Sequence, residues 1–545
     1  MALNRTNTAI QFQELEPTRQ VVSQAASQAA SVSDGDSGNT FSRDVFSGRP
    51  QSVSTFRIFG TIFQLCTMNF LSSFNNGIIT IGLPTIAKSL SLSRPLYLWP
   101  SSVYGLTSGA TVLLAGSVAD LIGARRVEVL GCVLLSAFTI ACGLANTGIQ
   151  LIIFRAIQGI AMSMHLPASV ALVAAAVPPG RSRNIGFGFL GLSQTLGFAA
   201  GLVISGFMIE KSGWRSTFYL SGAATSVATL AGIWSLPKPP IQADASVSIV
   251  IQLWRDIDWI GGGIASAGLA LLAYVLALLS ADLSIIHKSS AVVLLTLGFV
   301  LLLAFPLWMY KREHSGQPAL IPNSLWKKVP FTSTCIMIAL SYGVMNAMEL
   351  FSSLYFQEIQ NASTIFTSLR LLPYLLMGAI LNLTVGMFVD KVPARWLVAV
   401  SSMLCAGAPL LMAIADPEWS YWYMEFWAQT LAPMSADVLV TVGLLIVSDQ
   451  FPEEMQALAG AVFNTVAQFG MSLGVGICQV VAMGVSSRGK SQAEADAVSN
   501  NNDGEGQSLE GYRAGFWTMF AIMVTCSLVA LGGLRRAGKV GLKRE

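Results

Sequence analysis

Two carboxylates lie deep within apolar runs of this chain: Glu349 in Asn346-Ala347-Met348-Glu349-Leu350 and Asp437 in Ser435-Ala436-Asp437-Val438. Burial disfavours the charged form of a carboxyl, so an acid in such a place can take up and release a proton near physiological pH, as a proton carrier must. A structural carboxyl satisfied by nearby amides or arginine is the other reading of each. Arg155, in Phe154-Arg155-Ala156-Ile157-Gln158-Gly159, is a cation in similar surroundings. A charge there is costly and faces a cavity or partner, or snorkels to the headgroups; the first reading makes Arg155 a third proton-coupling candidate. Asn75, Asn76, Gln158, His165, Gln194 and Asn346 add hydrogen-bonding groups for a small solute and are candidate cavity residues. Tyr342, Asn346, Glu349, Ser353 and Gln357 recur at helical spacing on one face, and Asn69, Ser73, Asn76 and Thr80 on another. Polar groups facing lipid would be unsatisfied, so each stripe is expected to face inward, towards a cavity. Met162, Met164, Met345 and Met348 would give its wall an adaptable apolar character.

The elements that must position these groups are membrane helices. Of the 545 residues 53% are hydrophobic and 11% charged, against about 25% charged in soluble domains. About fourteen apolar segments reach the length of a bilayer span, starting near Ile58, Trp99, Val127, Gln150, Gly186, Ser216, Trp259, Ala291, Phe331, Phe366, Trp396, Trp422, Ala457 and Tyr512. Loops after even-numbered spans carry most of the basic residues, among them Arg125, Arg126, Lys311, Arg312 and Arg395, so the positive-inside rule puts both termini in the cytoplasm. Residues 1–57 read as a disordered cytoplasmic tail, 486–511 as a flexible outer loop and 536–545 as a basic cytoplasmic tail. The seven cysteines all fall inside spans without metal-ligand spacing, and read as packing residues. No phosphate-binding, zinc or nucleophile motif is present, so neither an enzyme nor a cofactor is expected. The charge balance of +3 orients the chain in a membrane and does not point to nucleic acid.

Internal repetition sharpens the reading. Gly116-Ser-Val-Ala119-Asp120-Leu-Ile-Gly123-Ala-Arg125-Arg126 is echoed by Gly386-Met-Phe-Val-Asp390-Lys-Val-Pro-Ala-Arg395, and Gly197-xxx-Gly201 by Gly470-xxx-Gly474. Spans 2 and 10, and spans 5 and 13, therefore look like counterparts, as expected of a duplicated transporter. The first segment resembles the loop motif of the major facilitator superfamily, Phe154 to Gly159 its second motif, and Gly188, Gly197, Gly201 and Gly206 the antiporter motif of drug exporters. Leu202 replaces the Pro expected in that last motif. The whole resembles the fourteen-span drug:proton antiporter group of fungi. The resemblance implies an all-α major facilitator fold arranged 6+2+6, with bundles at 58–236 and 330–535 and two inserted helices within 237–329. It also makes Gly116, Asp120, Gly123, Arg125, Arg126, Asp390 and Arg395 a conformational latch, and the four span 5 glycines a packing or hinge face. Asn75 stands where the group carries an embedded acid, and an amide cannot exchange a proton.

The function expected is export of a small hydrophobic or amphipathic organic compound by alternating access, proton-coupled, from a monomer in the plasma membrane or a vacuolar or other internal membrane. The alternatives are a uniporter or importer of an iron chelate or nitrogen compound, or a non-transporting receptor. Asn361-Ala-Ser363 is a candidate glycosylation site in an outer loop.

Overall fold

The computed structural model describes residues 55–93, 96–177, 181–237, 257–279, 283–317, 320–389, 391–451, 453–496, 509–535 and 537–539, all within one compact unit. Most of the tail expected at 1–57, much of 486–511 and 536–545, and Asp390 of the second latch segment lie outside them.

The described residues form helices and connecting turns. In chain order these are α1 Thr55–Ser89, α2 Trp99–Ile122, α3 Ala124–Leu144, α4 Gly148–Ala176, α5 Arg181–Ser212, α6 Trp214–Ser235, α7 Trp259–Leu279, α8 Ser289–His314, α9 Val329–Leu354, α10 Thr364–Phe388, α11 Ala394–Ile414, α12 Glu425–Leu431, α13 Met434–Gln450, α14 Glu453–Asp496 and α15 Leu509–Gly533. Each expected span has its helix. Twelve are apolar enough to count as membrane spans by composition alone, with α12 and α13 joined as one. The two that fall short, α1 and α6, carry buried polar side chains such as Asn69, Asn75, Thr217 and Ser221.

Local chemistry sets the helix ends. Thr147 and Gln150 form a reciprocal capping box at the start of α4, satisfying donors that the first turn leaves free. Ser363 caps α10 through the Phe366 amide. Gly123, at φ 95°, both ends α2 and begins α3, a backbone state that side chains disfavour. The span expected from Trp422 begins instead at Glu425 and breaks after Leu431, with Pro433 immediately before α13. Helix α14 runs to Asp496, so the first part of the loop expected at 486–511 is helical.

Packing repeats between the halves. Helix α5 lies against α1, and α14 against α9. A Cβ on Gly197 would stand 2.1 Å from the Phe70 carbonyl oxygen and one on Gly201 2.5 Å from that of Phe74, while one on Gly470 would stand 2.2 Å from the Ala339 oxygen. Small residues let these backbones touch. Between the halves, α2 packs on α14 and α5 on α10, contacts that exchange under the repeat pairing of spans 2 with 10 and 5 with 13. Helix α7 packs on α8, α2 and α14. In α8 only Ala291, Gly298 and Met309 are buried, and its exposed Phe299, Leu303 and Leu307 suit a lipid-facing surface.

Candidate functional site

The two polar stripes converge on a cavity of about 150 Å³. From α1 come Ser73, Asn76 and Thr80, and from α9 Tyr342, Met345, Asn346 and Glu349; α2, α4, α5, α10, α13 and α14 complete the wall. Arg155, Gln194 and Asp437 also line it, so the three proton-coupling candidates share one space.

Arg155 is 1% exposed. Its Nη2 donates to Asn76 Oδ1 at 2.8 Å, its Nη1 to Gln158 Oε1 at 2.9 Å and its Nε to the Pro100 carbonyl at 3.0 Å. The guanidinium also sits 4.5 Å from the centre of the Tyr104 ring. It does not snorkel; the planar fork is held from three sides. On the opposite wall Asp437 occupies the first turn of α13, where a helix N-terminus favours negative charge, and Asn382 Nδ2 donates to its Oδ1 at 3.1 Å. The break at Pro433 creates that N-terminus within the span. Tyr374 and Glu349 both line this side of the cavity.

Other candidates lie elsewhere. Asn75 is fully buried and turned away, donating to Thr139 Oγ1 at 3.3 Å and accepting from Ser221 Oγ at 2.9 Å. Gln158 reaches the cavity only through Arg155, its Nε2 donating to Thr139 Oγ1 at 2.8 Å. His165 is not on the cavity face: its Nδ1 lies 2.8 Å from Oε1 of Glu128, a fully buried acid of α3. Glu128 was not anticipated, nor was Glu425, which is 2% exposed and accepts from Gln360 at 2.6 Å. Of the four methionines expected on the wall only Met345 lines it; Met471 joins it, while Met162 and Met348 are buried in helix packing. Most of the lining residues carry a hydroxyl, amide, phenol or charged group, set in a wall whose exposed surface is still more apolar than polar.

Of the latch residues, Asp120 is exposed. Arg125 Nη2 donates to the Ile233 carbonyl at 2.6 Å and Arg126 Nη1 to that of Ile122 at 3.4 Å, so neither arginine is described as bonded to the acid. A Cβ on Gly116 would meet Pro167 at an ordinary 3.6 Å, and Arg395 lies over the Trp396 ring. The four span 5 glycines divide: Gly197 and Gly201 abut α1, Gly206 abuts Ser368 and Thr364 of α10, and Gly188 is exposed with nothing near it. Asn361 is exposed at φ 53° in the loop before α10.

Hydrogen bonds between the halves gather where α1 ends and α10 begins. Ser353 Oγ donates to the Thr80 carbonyl at 2.8 Å, Gln357 Nε2 to that of Ile81 at 3.2 Å, and Ser368 Oγ to that of Leu202 at 2.8 Å. The Tyr97 hydroxyl donates to Glu358 at 2.8 Å, and the Ile365 amide to Glu210 at 2.9 Å. The cavity wall away from this end includes Gly191 and Gln194, both exposed.

The family model described as Major Facilitator Superfamily matches residues 65–256 and 260–475. MFS-type transporter 1 of Pyricularia oryzae is 37% identical, over 98% of this chain and 92% of its own. The low affinity ammonium transporter of Saccharomyces cerevisiae is 25% identical over 87% of each chain, and efflux pump terJ of Aspergillus terreus 24% identical over 86% of each. Among solved structures, a bacterial homologue of the human lysosomal transporter Spinster, inward-facing and unoccupied, matches with TM-score 0.60 and 16% identity, over 88% of this chain and 98% of that one. Twelve helices long and apolar enough to cross a membrane, a central cavity among them and a family model that matches most of the sequence lead to one assignment: the chain is a multi-pass membrane protein that belongs to the Major Facilitator Superfamily.

Proposed function

We propose that this protein is a secondary transporter that exports a small organic compound by alternating access, with Glu349 and Asp437 carrying the coupled proton. The observation that carries the proposal is the meeting of both embedded acids with Arg155 in one cavity between the two halves. A proton carrier must share a space with the substrate for one to exchange for the other, and these acids do. The two bundles, 58–236 and 330–535, move relative to each other about the cavity, and both termini lie in the cytoplasm. The clasp of Thr80, Ile81, Tyr97 and Leu202 with Ser353, Gln357, Glu358 and Ser368 then closes the outer side, and the cavity opens inward past Gln194. The segment from Gly116 to Arg126 latches the cytoplasmic side in the opposite state. The mixed wall, polar groups within a largely apolar surface, favours an amphipathic substrate with a group that hydrogen-bonds and a positive charge for the two acids.

Export is supported by the likeness to efflux pump terJ and by the span 5 glycines. Uptake of a small nitrogen compound is the second reading, favoured by the likeness to a low affinity ammonium transporter and by Asn75, which is neither acidic nor in the cavity. Inside-out vesicles carrying the protein, energised to an acidic interior, discriminate between them. Gradient-dependent accumulation of a permanently charged amphipathic quaternary ammonium ion supports export, and equal flux in both directions without a gradient supports facilitated uptake.

A further inference from the structure

Away from the cavity, α3 and α4 enclose a cluster that the transport cycle above does not use. Glu128 and Cys132 stand one helical turn apart on the same face of α3, and His165 comes from α4. The approach is set by Gly131, where a Cβ would lie 3.0 Å from the Ala161 carbonyl oxygen and from Met164 Cβ. Glu128, Cys132 and His165 are 0%, 2% and 2% exposed. Glu128 Oε1 lies 2.8 Å from His165 Nδ1 and 3.3 Å from Cys132 Sγ, and one ligand atom from each residue falls within 4.8 Å of the others.

We propose that Glu128, Cys132 and His165 form a metal site for zinc that clamps α3 to α4. A thiol, an imidazole and a carboxylate are the donors that zinc takes in protein sites, and here the carboxylate already touches the other two while all three ligand atoms lie within 4.8 Å of one another. The mixed sulfur, nitrogen and oxygen set does not suit magnesium or calcium, which take oxygen ligands. Charge also balances: a divalent cation with one carboxylate, one thiolate and one neutral imidazole is net neutral, which a membrane-embedded site requires. A metal-free carboxylate–imidazole pair is the competing account, but it leaves Glu128 Oε2 buried without a hydrogen-bond partner. An unsatisfied buried oxygen is costly and calls for an explanation such as an ion. Zinc can engage either carboxylate oxygen. His165 Nε2 is also unpartnered, so the imidazole is oriented by the metal and by packing alone. The site lies close behind the latch segment, because Pro167, two residues from His165, meets Gly116. A zinc clamp would fix α3 and α4 as one unit beside the moving loop.

The full-length protein, purified in detergent, stripped with a chelator and re-exposed to equimolar zinc, should retain one zinc ion per chain and melt at a higher temperature than the stripped form. Its cobalt-substituted form should show thiolate-to-metal charge-transfer absorption. Because changes merely supporting a ligand cost about 10- to 100-fold in metal affinity, Glu128→Gln and Cys132→Ser should each cost at least about 10-fold. Cys132→Ser changes the packing least and should also remove the cobalt thiolate band. Failure of the wild-type protein to retain zinc, absence of the thiolate band, or zinc retention unchanged in Cys132→Ser would each overturn the proposal.

Discussion

Gly206→Ala should loosen the clasped end of the molecule, by an amount that the contacts fix. A Cβ there would stand 2.3 Å from Ser368 Oγ, 3.2 Å from the Thr364 oxygen and 3.3 Å from Ser368 Cβ. Ser368 would have to turn away, and its 2.8 Å bond to the Leu202 carbonyl across the halves would break. A lost hydrogen bond costs about 1 kcal/mol and an overpacked contact about 1–3 kcal/mol. The total, about 2–4 kcal/mol, acts on the clasped state alone if α5 and α10 part in the other. At about 1.4 kcal/mol per tenfold, the equilibrium should shift roughly 30- to 1000-fold towards the state open at that end. Thr80→Cys supplies the readout, since Thr80 is 6% exposed beneath the clasp. Six of the seven native cysteines are buried and Cys66 is half-buried, so background labelling by a membrane-impermeant thiol reagent should be low. Labelling should rise steeply with Gly206→Ala, and adding Ser368→Ala should reverse most of the rise by removing the clash. Labelling that stays within about twofold of the parent, on a scale where about 0.4 kcal/mol is twofold, would refute the reasoning.

The other glycines give a contrasting outcome. Gly201→Ala and Gly470→Ala press a methyl group against backbone oxygens that cannot rotate away, and each should cost about 1–3 kcal/mol, read as a lower melting temperature in detergent. Gly188→Ala and Gly460→Ala, with nothing within 4 Å, should be neutral or gain up to about 1 kcal/mol in helix propensity. Asn75→Asp should destabilise by about 1–3 kcal/mol, because the amide donor to Thr139 becomes a buried carboxylate. A gain of pH-dependent transport at unchanged melting temperature would contradict its placement outside the cavity.

The sequence is most informative where three- and four-residue spacing settles which side chains share a face. Asn76 and Glu349 lie on such stripes, and both line the cavity. Asn75 follows the same local rule with the opposite result: one step is about 100° of helix, which turns it to Thr139 and Ser221. His165 is ten positions from Arg155, about 80° round the helix, enough to move it from the cavity to α3. Glu128 was missed because it lies one residue past the expected start of its span, where a charge reads as a headgroup contact. The helix starts at Ala124, and the Glu128–Cys132 spacing was the available signal. Its pairing with His165 depends on how α3 crosses α4, which no local pattern encodes. The methionines illustrate the same limit, since hydropathy identifies membrane helices but not which apolar side chains face a cavity and which face a neighbour.

The most direct test of the central claim joins the proton to the cavity. Vesicles reconstituted with purified protein and given an imposed pH gradient, acidic inside, should accumulate a permanently charged, amphipathic quaternary ammonium ion against its own concentration gradient, where protein-free vesicles do not. Accumulation should vanish when an ionophore collapses the pH gradient, and also in the Glu349→Gln, Asp437→Asn double variant, provided that variant melts like the wild type. Accumulation that survives either perturbation would contradict the assignment of the coupled proton to these two carboxylates.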